Sequence, residues 1–294
     1  VKYKRFLSLI AATVRKINSY NTYKILILEI YTVQNKDPRK LDIFPNLNYE
    51  RGIQFIMKER LSSIWSSFLQ LEQLKAFANP DYYINLEDAS ISSNTLFDNN
   101  KSYTIQSSSE NVWLSNKYHR KGYHSIGFKL DPGVSRRETS VADIPNNTTK
   151  FAKFSVFFPS YYPIPTDWNL FAQWWQGAPA SPPISFELEP NSSDFKIRIV
   201  SKDGTVDNVK TIIHYNEKIY KNQWIDFVVQ FRVDDTGGSN GILRVWKNGI
   251  PIVNYSGKLG YTDLNNNTNF RFGLYRSPSI QNTAEAFYDE IKLG

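Results

Sequence analysis

Two hydrophobic periods divide this 294-residue chain near residue 80. Ile53, Phe55, Ile56, Leu61, Ile64, Trp65, Phe68, Leu71 and Leu74 recur at three- and four-residue spacing, which predicts a helix from about Ile53 to Phe77. Two shorter apolar stretches precede it. Phe6 to Val14 follows Lys2, Lys4 and Arg5 in the outline of a signal peptide, but Arg15 and Lys16 interrupt it and no clear small-residue cleavage site follows. Ile25 to Val33 carries Glu29 and is too short to cross a bilayer. No apolar run reaches the roughly 20 residues of a membrane-spanning helix, so no transmembrane segment is expected. Asn79-Pro80 closes the helical part, because the residue before a proline is pushed out of the helical region. Residues 1–80 thus read as a helical cap or docking arm.

Beyond residue 80 the period changes to two. Short alternating segments are separated by Gly, Pro, Asn and Asp clusters about every ten residues. They include Phe151–Phe158, Leu170–Gln176, Ile184–Leu188, Phe195–Val200, Ile225–Val233, Ile242–Trp246, Phe270–Tyr275 and Ala286–Leu293. Within one of them Ile225, Phe227, Val229, Phe231 and Val233 share a face, while Asp226, Gln230 and Arg232 lie on the other, the signature of a half-buried strand. Asn248-Gly249 between two such segments predicts a tight hairpin, because a type I′ turn needs positive φ at both central residues. Residues 81–294 therefore read as a mainly β domain, a sandwich of short strands.

Composition narrows the chemistry. The chain has no cysteine, which excludes disulfides, thiolate metal sites and a cysteine nucleophile. Its three histidines, His119, His124 and His214, include no close pair at a metal-ligand spacing, so neither a metal nor any other cofactor is expected. Aromatic residues make up 15% of the chain, and six of the seven tryptophans lie beyond residue 80, as in a β domain that faces carbohydrate. The formal charge of +7 invites an anionic partner, but it is unevenly held. Residues 1–80 carry 13 Lys and Arg against 6 Asp and Glu, whereas residues 81–294 carry 22 of each. The basic arm, not the β domain, owns the excess. It is the better candidate for docking to another protein or an acidic surface.

Five segments in order carry a family likeness. They are Gly133-Val134-Ser135-Arg136-Arg137-Glu138-Thr139-Ser140, Phe171-Ala172-Gln173-Trp174-Trp175, Trp224-Ile225-Asp226-Phe227 with Val245-Trp246-Lys247-Asn248-Gly249, Phe270 to Arg276, and Phe287-Tyr288-Asp289-Glu290-Ile291. Over roughly residues 93–294 the chain resembles the heparin lyase I, glucuronan lyase and alginate lyase group of polysaccharide lyases. The resemblance implies a concanavalin-like β-jelly-roll, here with an N-terminal α-helical extension, and an acidic, uronate-containing polysaccharide as partner. It also implies a place outside the cell or at a cell or virion surface.

Strand parity puts the polar members of these segments on one face. Residues two apart share a side, so Arg136 goes with Glu138, Gln173 with Trp175, and Arg271 with Gly273 and Tyr275, opposite the apolar Phe270, Phe272 and Leu274. Lys196 and Arg198 alternate with Phe195, Ile197 and Ile199 and add positive charge to the same kind of surface. Gly273 leaves room there for a ligand or another backbone to come close. β-Elimination on a uronate requires neutralising the carboxylate, removing the C5 proton and protonating the departing O4. Gln173 and Arg136 suit the carboxylate, as an amide donor and a planar bidentate cation. Tyr275 would transfer the proton, with Arg271 as its neighbouring cation. Arg271, Trp175, Glu138, Lys196 and Arg198 complete the expected substrate-binding set.

The chain departs from the family pattern at three of these positions. Trp175 stands where the family has a His, Ser140 where the alginate-lyase form has a second Arg, and Arg271 where it has a Lys. Either Tyr275 serves as both base and acid, or the domain is a non-catalytic carbohydrate-binding or structural module in which Trp175 stacks on sugar. The histidines read as surface or strand-end residues, His214 ending an apolar Ile212-Ile213 stretch. Glycoside hydrolases of the same fold need two or three close carboxylates, and Glu187 and Glu189 lack a third.

Overall fold

In the computed structural model, residues 72–294 apart from Leu74 are described. The expected apolar stretches Phe6 to Val14 and Ile25 to Val33, and most of the helix from Ile53 to Phe77, lie outside these residues. Within them, residues 72–73 and 75–78 are helical, and the helix stops before Asn79-Pro80. No helix among the described residues is long and apolar enough to cross a membrane.

Among the described residues eighteen strands, numbered in chain order, form two sheets. The eight-stranded sheet begins at β15 (Ile250–Gly257), β14 (Gly241–Lys247) and β13 (Trp224–Arg232). It continues through β8 (Lys150–Phe157), β18 (Ala284–Leu293), β6 (Ser125–Leu130) and β5 (Val112–Ser115), with β1 (Tyr82–Ile84) also paired to β18. The ten-stranded sheet begins at β12 (Val209–Lys218), β11 (Lys196–Gly204), β10 (Ile184–Leu188) and β9 (Asn169–Trp175). It continues through β17 (Thr268–Arg276), β7 (Arg136–Ile144), β4 (Lys101–Gln106), β3 (Thr95–Asp98) and β2 (Ser90–Ser92), while the two-residue β16 (Gly260–Tyr261) runs parallel to β11. Every other pairing is antiparallel, as expected for a sandwich with one solvated face per sheet.

The core between the sheets is aromatic. Phe154 of β8 and Phe227 of β13 meet Phe186 of β10, and Trp174 of β9 stacks on Phe270 of β17 at 4.8 Å. All five are fully buried, and such aromatic pairs add about 0.5–1.5 kcal/mol each beyond their area burial. The alternation expected of the segment Ile225–Val233 holds, with Ile225, Phe227, Val229, Phe231 and Val233 all buried. Asn248 and Gly249 both have positive φ, at 51° and 78°, and form the tight turn between β14 and β15.

Three irregularities in the ten-stranded sheet decide where its polar residues point. Phe171 is an extra residue in β9 relative to β10, so Phe171 and Ala172 both enter the core while Leu170 and Gln173 both face outward. A second bulge lies opposite it in β17, at Gly273 and Leu274. Gly273 has φ of +129°, and a Cβ there would sit 2.5 Å from Arg137 O, so the close approach it allows is that of the β7 backbone. The third is His214, the extra residue in β12. It sits inside that strand rather than at the end of one, and its ring lies 4.6 Å from Tyr255 of the other sheet.

Candidate active site

The outer face of the ten-stranded sheet carries a groove with a cavity volume of about 760 Å³ that spans β12 to β7. Register lays its floor out in rows. One row reads Arg136, Tyr275, Leu170, Glu187 and Arg198 across β7, β17, β9, β10 and β11. The next reads Ser140, Arg271, Gln173, Ser185 and Val200. Glu138 lies between them, opposite Gly273.

Glu138 is the hub of the first end. It is fully buried and accepts from Gln173 Nε2 at 2.7 and 2.9 Å, while Arg136 Nε lies 3.3 Å from its Oε2. Burial raises its pKa, against the pull of Arg136, the Gln173 hydrogen bond and Arg271. Glu138 therefore touches two candidate residues rather than the open groove. Its place is beneath the groove floor, outside the groove lining. The Gln173 amide nitrogen faces this carboxylate and its carbonyl oxygen turns away, so Gln173 is engaged below the groove as a donor. Arg136 donates no hydrogen bond among the described residues, and its guanidinium lies 3.7 Å over the Tyr275 ring. Trp168 holds the same ring edge-on at 4.8 Å.

Arg136, not Arg271, is thus the cation in contact with Tyr275. Arg271 is almost completely buried, lies 4.3 Å over the Trp175 ring and donates from Nε to Asn269 Oδ1 at 2.8 Å. Burial lowers its pKa. Ser140 donates to the same Asn269 oxygen at 2.6 Å, so two of the three departures from the family pattern meet on one amide. The third, Trp175, lines the groove and ties its indole Nε1 to Ala180 O at 3.0 Å. Trp174 is buried on the other side, so the adjacent indoles do split between the faces.

Of the remaining expected residues, Arg198 lines the groove and donates from Nε and Nη2 to Glu187 Oε2 at 3.0 and 2.7 Å. Lys196 does not join it: its ammonium pairs with Glu189 at 3.5 Å, outside the groove lining. His214 points away from the groove, its Nε2 2.7 Å from Ser201 Oγ, and burial lowers its pKa. Among the described residues no group of three or more His, Asp or Glu is placed to hold a metal ion.

Three groove residues escaped the sequence reading. Lys202 follows Lys196 and Arg198 on the same face, so the alternation itself would have found it had it been followed past Ile199. Glu187, in sequence half of an incomplete hydrolase pair with Glu189, is Arg198's partner in the groove. Trp168 precedes its strand and left no periodic trace.

The sequence matches a family model described as polysaccharide lyase over residues 67–292. The chain belongs to this polysaccharide lyase family. No curated protein matches the sequence. Among solved structures, the endo-β-1,4-glucuronan lyase from the fungus Trichoderma reesei matches with a TM-score of 0.54 at 15% identity, over 74% of this chain and 95% of that one. The alginate lyase A1-II', a member of polysaccharide lyase family 7, matches with a TM-score of 0.47 at 14% identity, over 62% of this chain and 84% of that one. The sandwich of this polysaccharide lyase domain is thus the fold of the glucuronan lyase.

Proposed function

We propose that this polysaccharide lyase family member cleaves a uronate-containing polysaccharide by β-elimination in the groove, with Tyr275 as the catalytic residue. The observation that carries the reading is the contact of Arg136 with both Tyr275 and the buried Glu138, beside Gln173, at one end of a groove long enough for a polymer. The glucuronan lyase that shares the fold acts, by its name, on a glucuronate polymer, which suits a groove rich in cations.

The step follows from the groups present. The free nitrogens of Arg136 bind the uronate carboxylate and stabilise the charge that develops on it as the C5 proton leaves. The Tyr275 phenolate oxygen takes that proton, and the electron pair left on C5 forms the C4–C5 double bond. The C4–O4 bond breaks, and the Tyr275 hydroxyl returns the proton to O4. Glu138 holds Gln173 and Arg136 in place and exchanges no proton with the sugar. Trp175 stands where a second titratable group would be expected and supplies an apolar face.

The products test the reading directly. Each cleavage leaves a 4,5-unsaturated uronate that absorbs in the ultraviolet, so alginate, glucuronan, heparin and hyaluronan are screened for an absorbance rise. A rise on at least one polymer is expected, and Tyr275→Phe removes it while binding is kept. Binding without an absorbance rise on any of the four overturns the enzyme reading in favour of a carbohydrate-binding module built on Trp175.

A further inference from the structure

Lys202 differs from the other cations of the groove floor. Arg136 has Glu138 within 3.3 Å and Arg198 has Glu187 at 2.7 Å, but among the described residues Lys202 has no carboxylate within ion-pair distance. Its ammonium donates to Ser181 Oγ at 2.9 Å, and that hydroxyl lies 3.0 Å from Tyr261 Oη. The walls beside it are apolar or small: Pro179, Ala180 and Pro182 from the loop after β9, with Val200 and Ile213 from the sheet. The loop is tied down on both sides, by Trp175 Nε1 to Ala180 O and by Gln176 Nε2 to Tyr261 O. Burial lowers the pKa of Lys202, so the site holds its charge at a cost that no protein carboxylate offsets by direct contact.

Its distance from Tyr275 follows from register. On β11 the residue in the Tyr275 row is Arg198, and Lys202 lies four residues further along. β10 and β9 separate β11 from β17. With strands about 4.8 Å apart and about 3.3 Å per residue, the two Cα positions are roughly 19 Å apart. Several sugar units, not one, would bridge that span.

We propose that Lys202, with the Ser181 hydroxyl beside it, is a distal subsite for the carboxylate of a uronate several units away from the residue cleaved at Tyr275. The proposal rests on the lyase reading for its far end, and it makes the enzyme prefer long chains. An anion arriving here supplies the missing counter-charge in an apolar surround, where a charged hydrogen bond is strongest.

Calorimetry with trimers and hexamers of mannuronate, guluronate and glucuronate tests it without requiring turnover. Lys202→Met is expected to weaken hexamer binding by about tenfold or more while leaving the trimer unchanged, and Lys202→Arg to retain most of the hexamer affinity. Equal weakening for both lengths, or none, overturns the subsite, as does a wild-type protein that binds no hexamer. Length-dependent binding that Lys202→Met abolishes, in a wild-type protein that makes no unsaturated product, keeps the subsite and overturns the lyase reading.

Discussion

Two clusters of buried charge sit on the outer faces of the two sheets, and they are built differently. On the eight-stranded sheet, register aligns Asp226, Ser155 and Asp289 across β13, β8 and β18. Asp289 Oδ2 accepts from the Arg120 and Lys121 backbone amides at 2.7 and 3.0 Å, and its Oδ1 from the Glu290 amide at 2.6 Å. Asp226 accepts from Arg120 Nε and Nη2 and from Ser155 Oγ. Glu290 takes the Tyr83 hydroxyl at 2.8 Å and lies 3.6 Å from Lys153. Asp226 and Asp289 are consumed in fixing the loop at 120–121 to the sheet, and Glu290 in holding Tyr83 and Lys153. In the groove the one fully buried acid, Glu138, is also consumed, but among the described residues the Arg136 side chain donates no hydrogen bond and Lys202 has no carboxylate within ion-pair distance. On the lyase reading, the cluster closed on itself is structural, and the one with cations to spare is the binding surface.

If that contrast is right, the two clusters respond oppositely to substitution. The largest effect belongs to Tyr275→Phe, which should lower turnover at least about 100-fold, the usual scale for losing a proton-transfer group, with a melting temperature close to wild type. A loss of turnover matched by a large fall in melting temperature would assign Tyr275 to packing against Trp168 instead. Next comes Asp289→Ala, which leaves three backbone donors without their acceptor, the Glu290 amide among them buried, and should cost about 2–3 kcal/mol in denaturant unfolding. Product formation per folded molecule should not change; if it falls, the outer cluster is coupled to the groove.

Glu138→Gln sharpens the same contrast from the groove side. Burial raises the Glu138 pKa despite Arg136 and Gln173, so its ionised form disfavours the fold, and with an isosteric amide in its place stability should hold or rise. The Gln173 amide loses one of the two oxygens that orient it and Arg136 loses its counter-charge, so kcat/KM should fall about tenfold through mispositioning. A pH profile of kcat/KM separates this positioning role from plain packing, because removing a charge beside Arg136 shifts the profile and a packing defect lowers it uniformly. Lower stability with an unchanged profile would place Glu138 with the structural cluster.

Much of this was readable beforehand, for a definite reason. A period of two survives in any strand with one buried face, so Trp174 against Trp175, and Phe270 and Phe272 against Arg271 and Tyr275, were assigned to the correct sides from spacing alone. Asn248-Gly249 was legible because few residue pairs accept two positive φ values. Contacts across strands were not legible. The extra residues at Phe171 in β9 and around Gly273 in β17 shift which side chains meet, and neither carries a reliable sequence mark. Spacing along β17 therefore pairs Tyr275 with Arg271, whereas Arg136 of β7 is the cation that touches it, and Glu138, exposed to the groove by parity, lies under Gln173. Arg276 makes the same point: parity puts it on the inner face with Phe270, Phe272 and Leu274, but not the carbonyls of Val134, Asp131 and Asn282 to which it donates there, fully buried.

The smallest effect is a pH dependence in the outer cluster. Burial, joined by the neighbouring Glu290 charge, raises the Asp289 pKa to about 6, more than its backbone hydrogen bonds bring it down. A carboxyl whose folded-state pKa lies above its unfolded value binds more protons in the folded protein between those two values. Its ionisation therefore destabilises the fold above about pH 6, and that penalty is relieved as pH falls from 6 toward 4. Asp226 has a lowered pKa and works in the opposite sense, but its contribution is lost only as the solution becomes acidic enough to protonate it, below the Asp289 window. Asp289→Asn cannot titrate, so the difference in stability between wild type and this variant isolates the one group. That difference should move in favour of wild type by about 1 kcal/mol between pH 7 and pH 5, a shift of a few degrees in melting temperature. A difference that stays flat over this range would mean that Asp289 is already held as a carboxylate by its three amide donors, and that the outer cluster is more thoroughly compensated than its burial implies.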